Sequence, residues 1–300
     1  MANWNDILDE INSEGSTYDI VRRRYLKKLS DITGRNTIAY YSGWLQKPNA
    51  PEIQINDNDK NGFMTAVNGL NRDKGLDLIL HTPGGETAAT ESIIDYLSKT
   101  FKDIRTIVPQ LAMSGGTMIA FMGSEILMGR QSSLGPIDPQ LGGLPAHGIL
   151  EEFSQAFQEM AADQKKAFVW QPILNKYNPT LVGECQKSIA WSEKIAEDCL
   201  KKRMLKGKRN INERIKKIKK EFVDHSINLS HARHLPAEKC REIGLNIKMI
   251  EDDQIIQDAI LTVHHSFIHT LTATPAVKII ENQNGTAYIQ TIQTILIPGR

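Results

Sequence analysis

Twice in this 300-residue chain a pair of adjacent glycines follows an apolar run, and a serine precedes the second pair. Gly84 and Gly85 follow "LDLILH", whereas Gly115 and Gly116 follow "IRTIVPQLA" and Ser114. Because glycine accepts positive φ and has no Cβ, such turns expose backbone N–H groups that bind anions. The anion is either a phosphate or the oxyanion of an acyl-transfer reaction.

The pattern around these glycines separates the two kinds of anion site. Phosphate loops carry GxxxxGK[ST] or GxGxxG, and neither pattern occurs at these turns. An oxyanion hole needs a nucleophile beside its amides, and Ser114 immediately precedes Gly115. The serine also lies at the predicted N-terminus of a helix, whose dipole favours developing negative charge. The residues therefore favour serine chemistry.

Strands and helices alternate around both turns. The strands are predicted at "TIAYYSGWL", "LDLILH", "IRTIVPQLA" and "EILMG", and the helices at "GFMTAVNGLNRDKG", "ETAATESIIDYLSKTF" and "GTMIAFMG". The segment "NAPEIQINDNDKNG" is predicted to be a polar loop. This alternation is typical of an α/β fold with a largely parallel sheet, in which functional groups collect at the carboxyl ends of the strands.

Three motifs in order, "LILHTPGG", "AMSGGTMIA" and "EILMGRQSSLGPIDPQLG", resemble the Clp protease and crotonase superfamily. Within it, the chain is most similar to the signal peptide peptidase A-like serine proteases, in the cytoplasmic branch called the serine dehydrogenase proteinase family. The resemblance runs over residues 15–290, including "HARHLPAEKCREIGL" and "KIIENQNG". It implies an α/β, Clp/crotonase-type spiral of ββα units with an added helical segment, no cofactor, a peptide or protein substrate, and a homo-oligomer.

The resemblance also implies roles for single residues. It places the nucleophile on Ser114 and the two oxyanion amides on Gly84 and Gly115. The histidine that serves the Clp proteolytic subunits has no counterpart, since no histidine lies between Ser114 and His147. The signal peptide peptidase A-like members instead use a neutral lysine about 40 to 50 residues after the serine, and burial favours the neutral form of a lysine.

Three lysines compete for the role of general base. Lys165 and Lys166 lie in the polar stretch "DQKK", where we expect solvated side chains. Lys176 lies in "WQPILNKYNPT", among aromatic and apolar residues, where we expect a partly buried amine. We therefore select Lys176 as the general base.

Further polar residues are candidates to support the base or the substrate. Asp138 lies between two prolines, where it either supports the site or makes an ordinary turn. The segment "HARHL" offers His231, Arg233 and His234. No carboxylate or cysteine nearby completes a metal set with the two histidines, so no metal site is predicted. His81 either lines the cleft or is a hydrogen-bonded structural residue.

The chain divides into three predicted parts. Residues 1–35 form an N-terminal helical segment, residues 36–270 the catalytic domain, and residues 271–300 a β-hairpin that turns at Asn284-Gly285 and is a possible oligomer contact. The catalytic domain contains a helical, basic insertion at residues 179–222, whose part from 201 onward is predicted to be one amphipathic helix. The basic face of that helix is either solvated or binds another subunit or an acidic partner. Binding to nucleic acid is not favoured, because no aromatic residues interleave the charges.

Composition adds few constraints. The chain is 40% hydrophobic and 24% charged with a net charge of +1, which favours no class of partner. Its cysteines are odd in number and widely spaced, so no disulfide framework is predicted, and Cys185 and Cys199 are expected in the core. No apolar run approaches the roughly 18 to 20 residues of a membrane span and no secretory signal is visible, so we expect a cytoplasmic protein away from membranes.

Two alternatives to a serine peptidase remain open. A crotonase-like enzyme would use the same oxyanion hole for an acyl-CoA enolate, but would not need the serine. A non-catalytic oligomeric scaffold would keep the fold and bind peptides without turnover. The serine peptidase is the function that the motifs favour.

Overall fold

The computed structural model describes residues 4–13, 18–223 and 233–292 of the chain. The helices in these ranges are α1 Trp4–Ser13, α2 Tyr18–Thr33, α3 Asn58–Val67, α4 Thr87–Thr100, α5 Gly115–Phe121, α6 Ala146–Ala162, α7 Ala167–Leu174, α8 Leu181–Cys199, α9 Ile211–Val223, α10 Ala237–Ile243 and α11 Gln254–Ala273. The strands are β1 Asn36–Ser42, β2 Leu76–His81, β3 Ile104–Val108, β4 Leu111–Ala112, β5 Ile126–Met128, β6 Ser133–Leu134, β7 Gln140–Leu141, β8 Leu144–Pro145, β9 Leu235–Pro236, β10 Ile247–Met249, β11 Ala276–Asn282 and β12 Ala287–Thr291.

Seven strands form the main sheet, in the order β10-β5-β3-β2-β1-β11-β12. Neighbours from β10 to β1 run parallel, as the alternation of strands and helices predicts. The C-terminal hairpin is also confirmed, and its strands continue this sheet because β11 pairs antiparallel with β1. The partner that these apolar strands need is therefore the chain's own sheet.

Helices cover both faces of the main sheet. β1 is buried at every position, which is typical of a strand covered on both sides. Its side chains alternate between two apolar clusters: Ile38 and Tyr40 face the cluster that includes α3, α4 and α5, whereas Ala39 and Tyr41 face α2 and α11. The carboxyl ends of the parallel strands are thus held between two packed layers.

The N-terminal helical segment is joined to the sheet. α2 packs along α11, and Arg22 on α2 is fully buried. Its Nε lies 2.6 Å from Oε2 of Glu281, which is also fully buried, on β11. This ion pair connects α2 to the C-terminal hairpin.

A second, smaller sheet carries the serine turn. The run "IRTIVPQLA", predicted as one strand, divides into β3 and β4, because Pro109 has no N–H to continue the ladder. β4 pairs with β6, and β6 pairs with β9. Ser114 therefore follows a short strand of this sheet and not a strand of the main sheet.

The helix predicted between the first two strands is shifted along the chain. Residues 62–75 were expected to form it, but α3 spans Asn58–Val67. It ends before Gly69, whose φ is +77°. The stretch predicted as a polar loop, residues 49–62, thus contains the first turns of α3 and also Ile55, which forms a β-bridge with Gly85.

The basic segment is also not a single helix. α8 passes into a π-helical turn at Leu200–Met204, and a turn with positive φ at Gly207 and Asn210 precedes α9. In α9 the predicted apolar stripe is confirmed, since Ile215, Ile218 and Phe222 are buried. Cys185 and Cys199 are buried on α8, as expected. No helix in the described ranges combines the length and apolar character needed to cross a bilayer.

Candidate active site

Ser114 lies at a sharp turn between β4 and α5. Its φ of +49° and ψ of −114° are outside the regions that a residue with a side chain prefers, at a cost of about 1–3 kcal/mol. The turn is held by hydrogen bonds from Gly116 N to Met113 O at 2.8 Å and from Met118 N to Ser114 O at 3.2 Å. Ser114 is partly exposed, whereas the two glycines after it are buried. Such strain commonly marks a functional residue.

The first glycine turn touches the serine turn. Gly84 has φ +92°, and a Cβ added to it would lie 2.7 Å from Met113 O, 2.7 Å from Ser114 Cβ and 2.8 Å from Gly115 N. No side chain fits at this position without moving the backbone around Ser114. The structure therefore brings together Gly84, Ser114 and Gly115, the three residues that the motifs single out.

The glycines after Ser114 allow α5 to approach its neighbours. A Cβ on Gly115 would lie 2.6 Å from Thr90 Oγ1 on α4, and one on Gly116 would lie 2.5 Å from Thr82 Cγ2. Glycine at these positions is thus required for close packing, and it also allows backbone conformations that other residues avoid.

An extended segment around Ile55 fixes the far side of the Gly84 turn. Ile55 N donates to Gly84 O at 2.8 Å, and Glu86 N donates to Ile55 O at 2.9 Å. A Cβ on Gly85 would collide with the backbone of Ile55 at 2.3 Å. The polar stretch that precedes α3 is therefore part of the site, which its sequence does not reveal.

The Gly84 amide has a partner inside the protein. Gly84 N donates to Thr82 Oγ1 at 3.2 Å. A long hydrogen bond of this kind fixes the direction of an N–H group weakly, and an N–H can be shared between two acceptors. Thr82 is a residue that the sequence analysis did not select.

No hydrogen bond within the described residues joins a candidate base to these turns. Lys176 is exposed and follows α7; it lines a surface pocket together with residues of the β7–β8 hairpin, α6 and α8, and no residue of the glycine turns lines that pocket. The expectation that Lys176 is partly buried is wrong for the single chain, because α7 has no buried residue to enclose it. Lys165 and Lys166 are exposed as expected, and Lys166 Nζ lies 3.2 Å from Glu159 Oε2.

Two of the predicted supporting residues lie on elements next to the serine turn. Asp138 is only 1% exposed and follows Gly135, where a Cβ would lie 3.1 Å from the Cα of Met113. His234 is exposed and directly precedes β9, which pairs with β6 in the small sheet. Both therefore stay candidates. Arg233 adjoins His234 and is half-buried, whereas His231 lies outside the described residues.

His81 faces away from the glycine turns. Its ring is fully buried among Tyr41, Trp44 and His264, with centroid distances of 5.4, 4.4 and 5.4 Å. Burial, together with the neighbouring His264, lowers the pKa of His81 well below its usual value, so the ring is neutral. It is a structural residue on the α11 side of the sheet. It is packed by ring contacts, whereas the hydrogen bonds expected of a structural histidine are absent within the described chain.

An α/β protein with a strained serine against a glycine turn has the arrangement of a serine hydrolase. Comparison with known families agrees: residues 18–257 match the ClpP-like SDH-type serine proteinases, and the chain belongs to that family. It is also similar to two uncharacterised proteins of Methanocaldococcus jannaschii. MJ0137 is 37% identical over 149 residues, which are 45% of this chain and 51% of that protein. MJ1495 is 32% identical over 150 residues, which are 46% of this chain and 51% of that protein. The match thus spans about half the length of each relative.

Proposed function

We propose that this protein is a serine peptidase that cleaves peptide or protein substrates through an acyl-enzyme on Ser114. The contact between the strained Ser114 turn and Gly84 carries this proposal, because it brings the Ser114 side chain next to the backbone of both Gly84 and Gly115. Membership of a serine proteinase family supports it.

In the proposed reaction the Ser114 hydroxyl oxygen attacks the carbonyl carbon of the scissile peptide bond. The carbonyl oxygen becomes an oxyanion that accepts hydrogen bonds from the amides of Gly84 and Gly115. The general base removes the hydroxyl proton and passes it to the leaving amine, and water then releases the acyl group by the same steps. For the Gly84 amide, binding the oxyanion means sharing or leaving the hydrogen bond to Thr82 Oγ1.

We keep Lys176 as the proposed general base, with Asp138 and His234 as supporting residues. A general base must be neutral to accept a proton, and burial favours the neutral form of a lysine, so this role requires that Lys176 become buried. The single chain does not enclose it. Assembly is the step that we propose provides the enclosure.

The α6–α7 segment, residues 146–174, is the surface that we propose for this homo-oligomer. Phe157, Phe168 and Val169 on it are 74, 82 and 63% exposed, and α7 buries none of its residues in the single chain. Exposed apolar patches of this kind mark interaction sites. Lys165 and Lys166 lie between the two helices and Lys176 follows the second, so we propose that a second copy that covers the apolar residues also covers Lys176.

The chain order supports a Clp/crotonase-type spiral, which we propose as the detailed fold. β2 is followed by a bridge from Thr82 to Ala112 and then α4, and β3 is followed by β4 and then α5. Each unit is thus a long strand, a short strand piece and a helix, as in a ββα repeat.

Turnover of defined substrate classes tests the proposed function. The protein is incubated separately with a diverse peptide library and with acyl-CoA thioesters, and products are identified by mass spectrometry. We expect peptide cleavage by the wild type and none by Ser114→Ala. Conversion of acyl-CoA that survives Ser114→Ala would instead indicate a crotonase-like enzyme, and peptide binding without turnover would indicate a scaffold.

A further inference from the structure

Behind the Gly84 turn lies a run of fully buried polar side chains, Lys278 on β11, Asp59 on α3 and Tyr40 on β1. Lys278 Nζ donates to Asp59 Oδ1 at 2.7 Å, and Tyr40 Oη donates to Asp59 Oδ2 at 2.7 Å. Both carboxylate oxygens of Asp59 are therefore engaged. None of these residues was singled out by the sequence, and Lys278 lies beyond the residues that match the family.

This run continues to the proposed oxyanion amide through Thr82. The Thr82 side chain acts to lower the pKa of Tyr40, against the larger raising effects of burial and Asp59, so the two side chains are neighbours, and Thr82 Oγ1 accepts a hydrogen bond from Gly84 N at 3.2 Å. Tyr40 Oη gives its one proton to Asp59, so its lone pairs stay able to accept a hydrogen bond. We call the four side chains from Lys278 through Asp59 and Tyr40 to Thr82 the Lys278 chain.

The Lys278 chain also bonds the two residues that flank Ile55, the residue whose backbone N binds Gly84 O. Lys278 Nζ donates to Gln54 O at 2.8 Å, and Asn56 N donates to Asp59 Oδ2 at 3.2 Å. These bonds grip the residues on either side of Ile55, whose N donates to Gly84 O at 2.8 Å. The N–H of Gly84 is thus bonded to Thr82 Oγ1, and its C=O to Ile55 N, whose two neighbours in sequence are bonded to Lys278 and Asp59.

Thr82 links this arrangement to the serine turn. Its backbone N donates to Leu111 O at 3.1 Å, and its O accepts from Met113 N at 3.0 Å. Its Cγ2 occupies the space that a side chain on Gly116 would need. One residue therefore contacts both glycine turns, with its backbone and methyl group on the serine side and its hydroxyl on the Gly84 side.

The energetics indicate that the Lys278 chain is not simply a stabilising element. Burial raises the pKa of Asp59, opposed by Lys278, and lowers the pKa of Lys278, opposed by Asp59. Burial and the Asp59 carboxylate also raise the pKa of Tyr40 well above its usual value. Taking such a pair out of water costs about as much as its attraction returns, so a buried ion pair is weak support for stability. Its clearest contribution is to fix one geometry.

We propose that the Lys278 chain positions the Gly84 amide for the oxyanion that forms when Ser114 is acylated. Its members are positioning residues, since they act through Gly84 and do not touch the reacting atoms. The inference rests on the proposed function for its chemical consequence, but the structural part, control of the Gly84 peptide, is measurable without activity.

The strand β1 supplies a matched pair of variants for the test. Tyr40 and Tyr41 are adjacent and both fully buried, and the hydroxyl of each contacts at least one polar side chain. The Tyr41 hydroxyl lies 3.3 Å from His264 Nδ1, on the α11 face, and has no link to the glycine turns within the described chain. Tyr40→Phe and Tyr41→Phe thus remove the same group from opposite faces.

The first readout is kinetic. We expect Tyr40→Phe to lower kcat and the rate of fluorophosphonate labelling about 10-fold with little change in KM, because loss of a whole oxyanion donor costs about 100- to 1000-fold and this variant only misplaces one. Tyr41→Phe should keep kcat and the labelling rate within about twofold of the wild-type values. A change of that size is smaller than the change expected from weakening one hydrogen bond in the site. Thr82→Val, which keeps the shape and removes the hydroxyl, should lose at least as much as Tyr40→Phe, and Thr82→Ser should recover most of it.

The second readout is the Gly84 amide itself. The sequence contains two Pro–Gly pairs, Pro83-Gly84 and Pro298-Gly299, so carbonyl-¹³C proline with ¹⁵N glycine gives two NMR signals, and Pro298→Ala removes the other one. We expect the Gly84 signal to shift and its amide to exchange faster in Tyr40→Phe and Thr82→Val, and to stay unchanged in Tyr41→Phe.

The two readouts separate the inference from the proposed function. Equal rates for Tyr40→Phe and Tyr41→Phe, with an unmoved Gly84 signal, would overturn the inference. A wild type that neither hydrolyses nor labels would refute the proposed function, while the Gly84 signal still decides whether the Lys278 chain controls this peptide. If Tyr40→Phe does not fold, the comparison of Thr82→Val with Thr82→Ser decides by both readouts.

Discussion

Ser114 and Lys176, the two members of the proposed catalytic pair, lie in regions that are packed very differently. The glycine turns around Ser114 touch one another, and four glycines there meet neighbouring atoms within 3 Å of where a Cβ would lie. The α6–α7 segment that precedes Lys176 leaves its large apolar side chains exposed. The single chain thus fixes the proposed nucleophile and the two glycine turns, whereas the proposed base depends on what covers α7.

The largest effect is expected from the fixed region. Ser114→Ala removes one hydroxyl from a turn that backbone hydrogen bonds maintain, so we expect hydrolysis to fall by about 10⁴-fold or more while the fold is kept. Peptide hydrolysis and thermal unfolding of the two proteins measure this. Substantial residual hydrolysis would show that the compact glycine turns do not hold the nucleophile.

The three lysines test the exposed region. Lys176→Met should lower kcat by about 100- to 10⁴-fold, the usual contribution of a general base, whereas Lys165→Met and Lys166→Met should leave kcat nearly unchanged. The measurement is kcat for each variant at a protein concentration where the wild type is assembled. Loss in Lys165→Met or Lys166→Met with retention in Lys176→Met would move the base to the linker between α6 and α7.

A pair of glycine variants separates backbone strain from contact with the serine turn. Gly84 and Gly69 both have positive φ, but only Gly84 has atoms around its Cβ position. Gly84→Ala should lower turnover by about 100- to 1000-fold, whereas Gly69→Ala should cost only about 1–2 kcal/mol of stability from left-handed strain. Turnover and unfolding free energy are measured for both. A fully active Gly84→Ala would reject the oxyanion assignment.

Assembly is tested by charging the exposed face. If the proposed oligomer forms through this face, Phe168→Glu should dissociate it and lower activity about 10-fold or more at a given concentration, because a charge at an apolar interface is desolvated without a partner. Ile255→Glu, at an apolar residue that is 66% exposed on α11, is the control and should change neither. Sedimentation and activity against concentration report both quantities. Unaltered assembly in Phe168→Glu would place the interface elsewhere.

The smallest effect on activity is expected from the α11 side of the sheet, where the change is in stability. Burial and the neighbouring His265 lower the pKa of His264 from 6.5 to about 3. Because the folded pKa lies below the unfolded one, stability is complete above about pH 6.5 and falls as the pH drops toward 3. At pH 5 this histidine alone costs about 2 kcal/mol. Urea unfolding at pH 7.5 and 5.0 should show a smaller difference in His264→Gln, and an equal difference would contradict this account.

The contrast between the packed glycine turns and the exposed α6–α7 segment also explains which features the sequence predicts well. The motifs single out Gly84, Ser114 and Gly115, which the structure brings into contact, because a glycine pair after an apolar run can be recognised without knowing the fold; their roles stay predictions. The parallel strands and the hairpin at Asn284-Gly285 are predicted for the same reason, since periodicity and turn residues are short-range signals.

Contacts between distant residues explain what the sequence misses. Asp59 and Lys278 are 219 positions apart, and each resembles an ordinary residue of a helix or strand until the sheet order brings them together. The one available signal is a lysine within the apolar strand "AVKIIEN". The neighbouring aromatic and apolar residues predict that Lys176 is partly buried, but burial depends on the elements that pack over a residue, and within the described residues α7 has no buried side chain.

The most direct test of the central claim is the position of a covalent fluorophosphonate adduct on the native protein. After labelling and digestion, mass spectrometry identifies the modified residue, with Ser114→Ala and Gly69→Ala treated in parallel. The account predicts a single adduct on Ser114 in the wild type and Gly69→Ala, and none in Ser114→Ala. An adduct on another serine, or labelling that persists in Ser114→Ala, would contradict it.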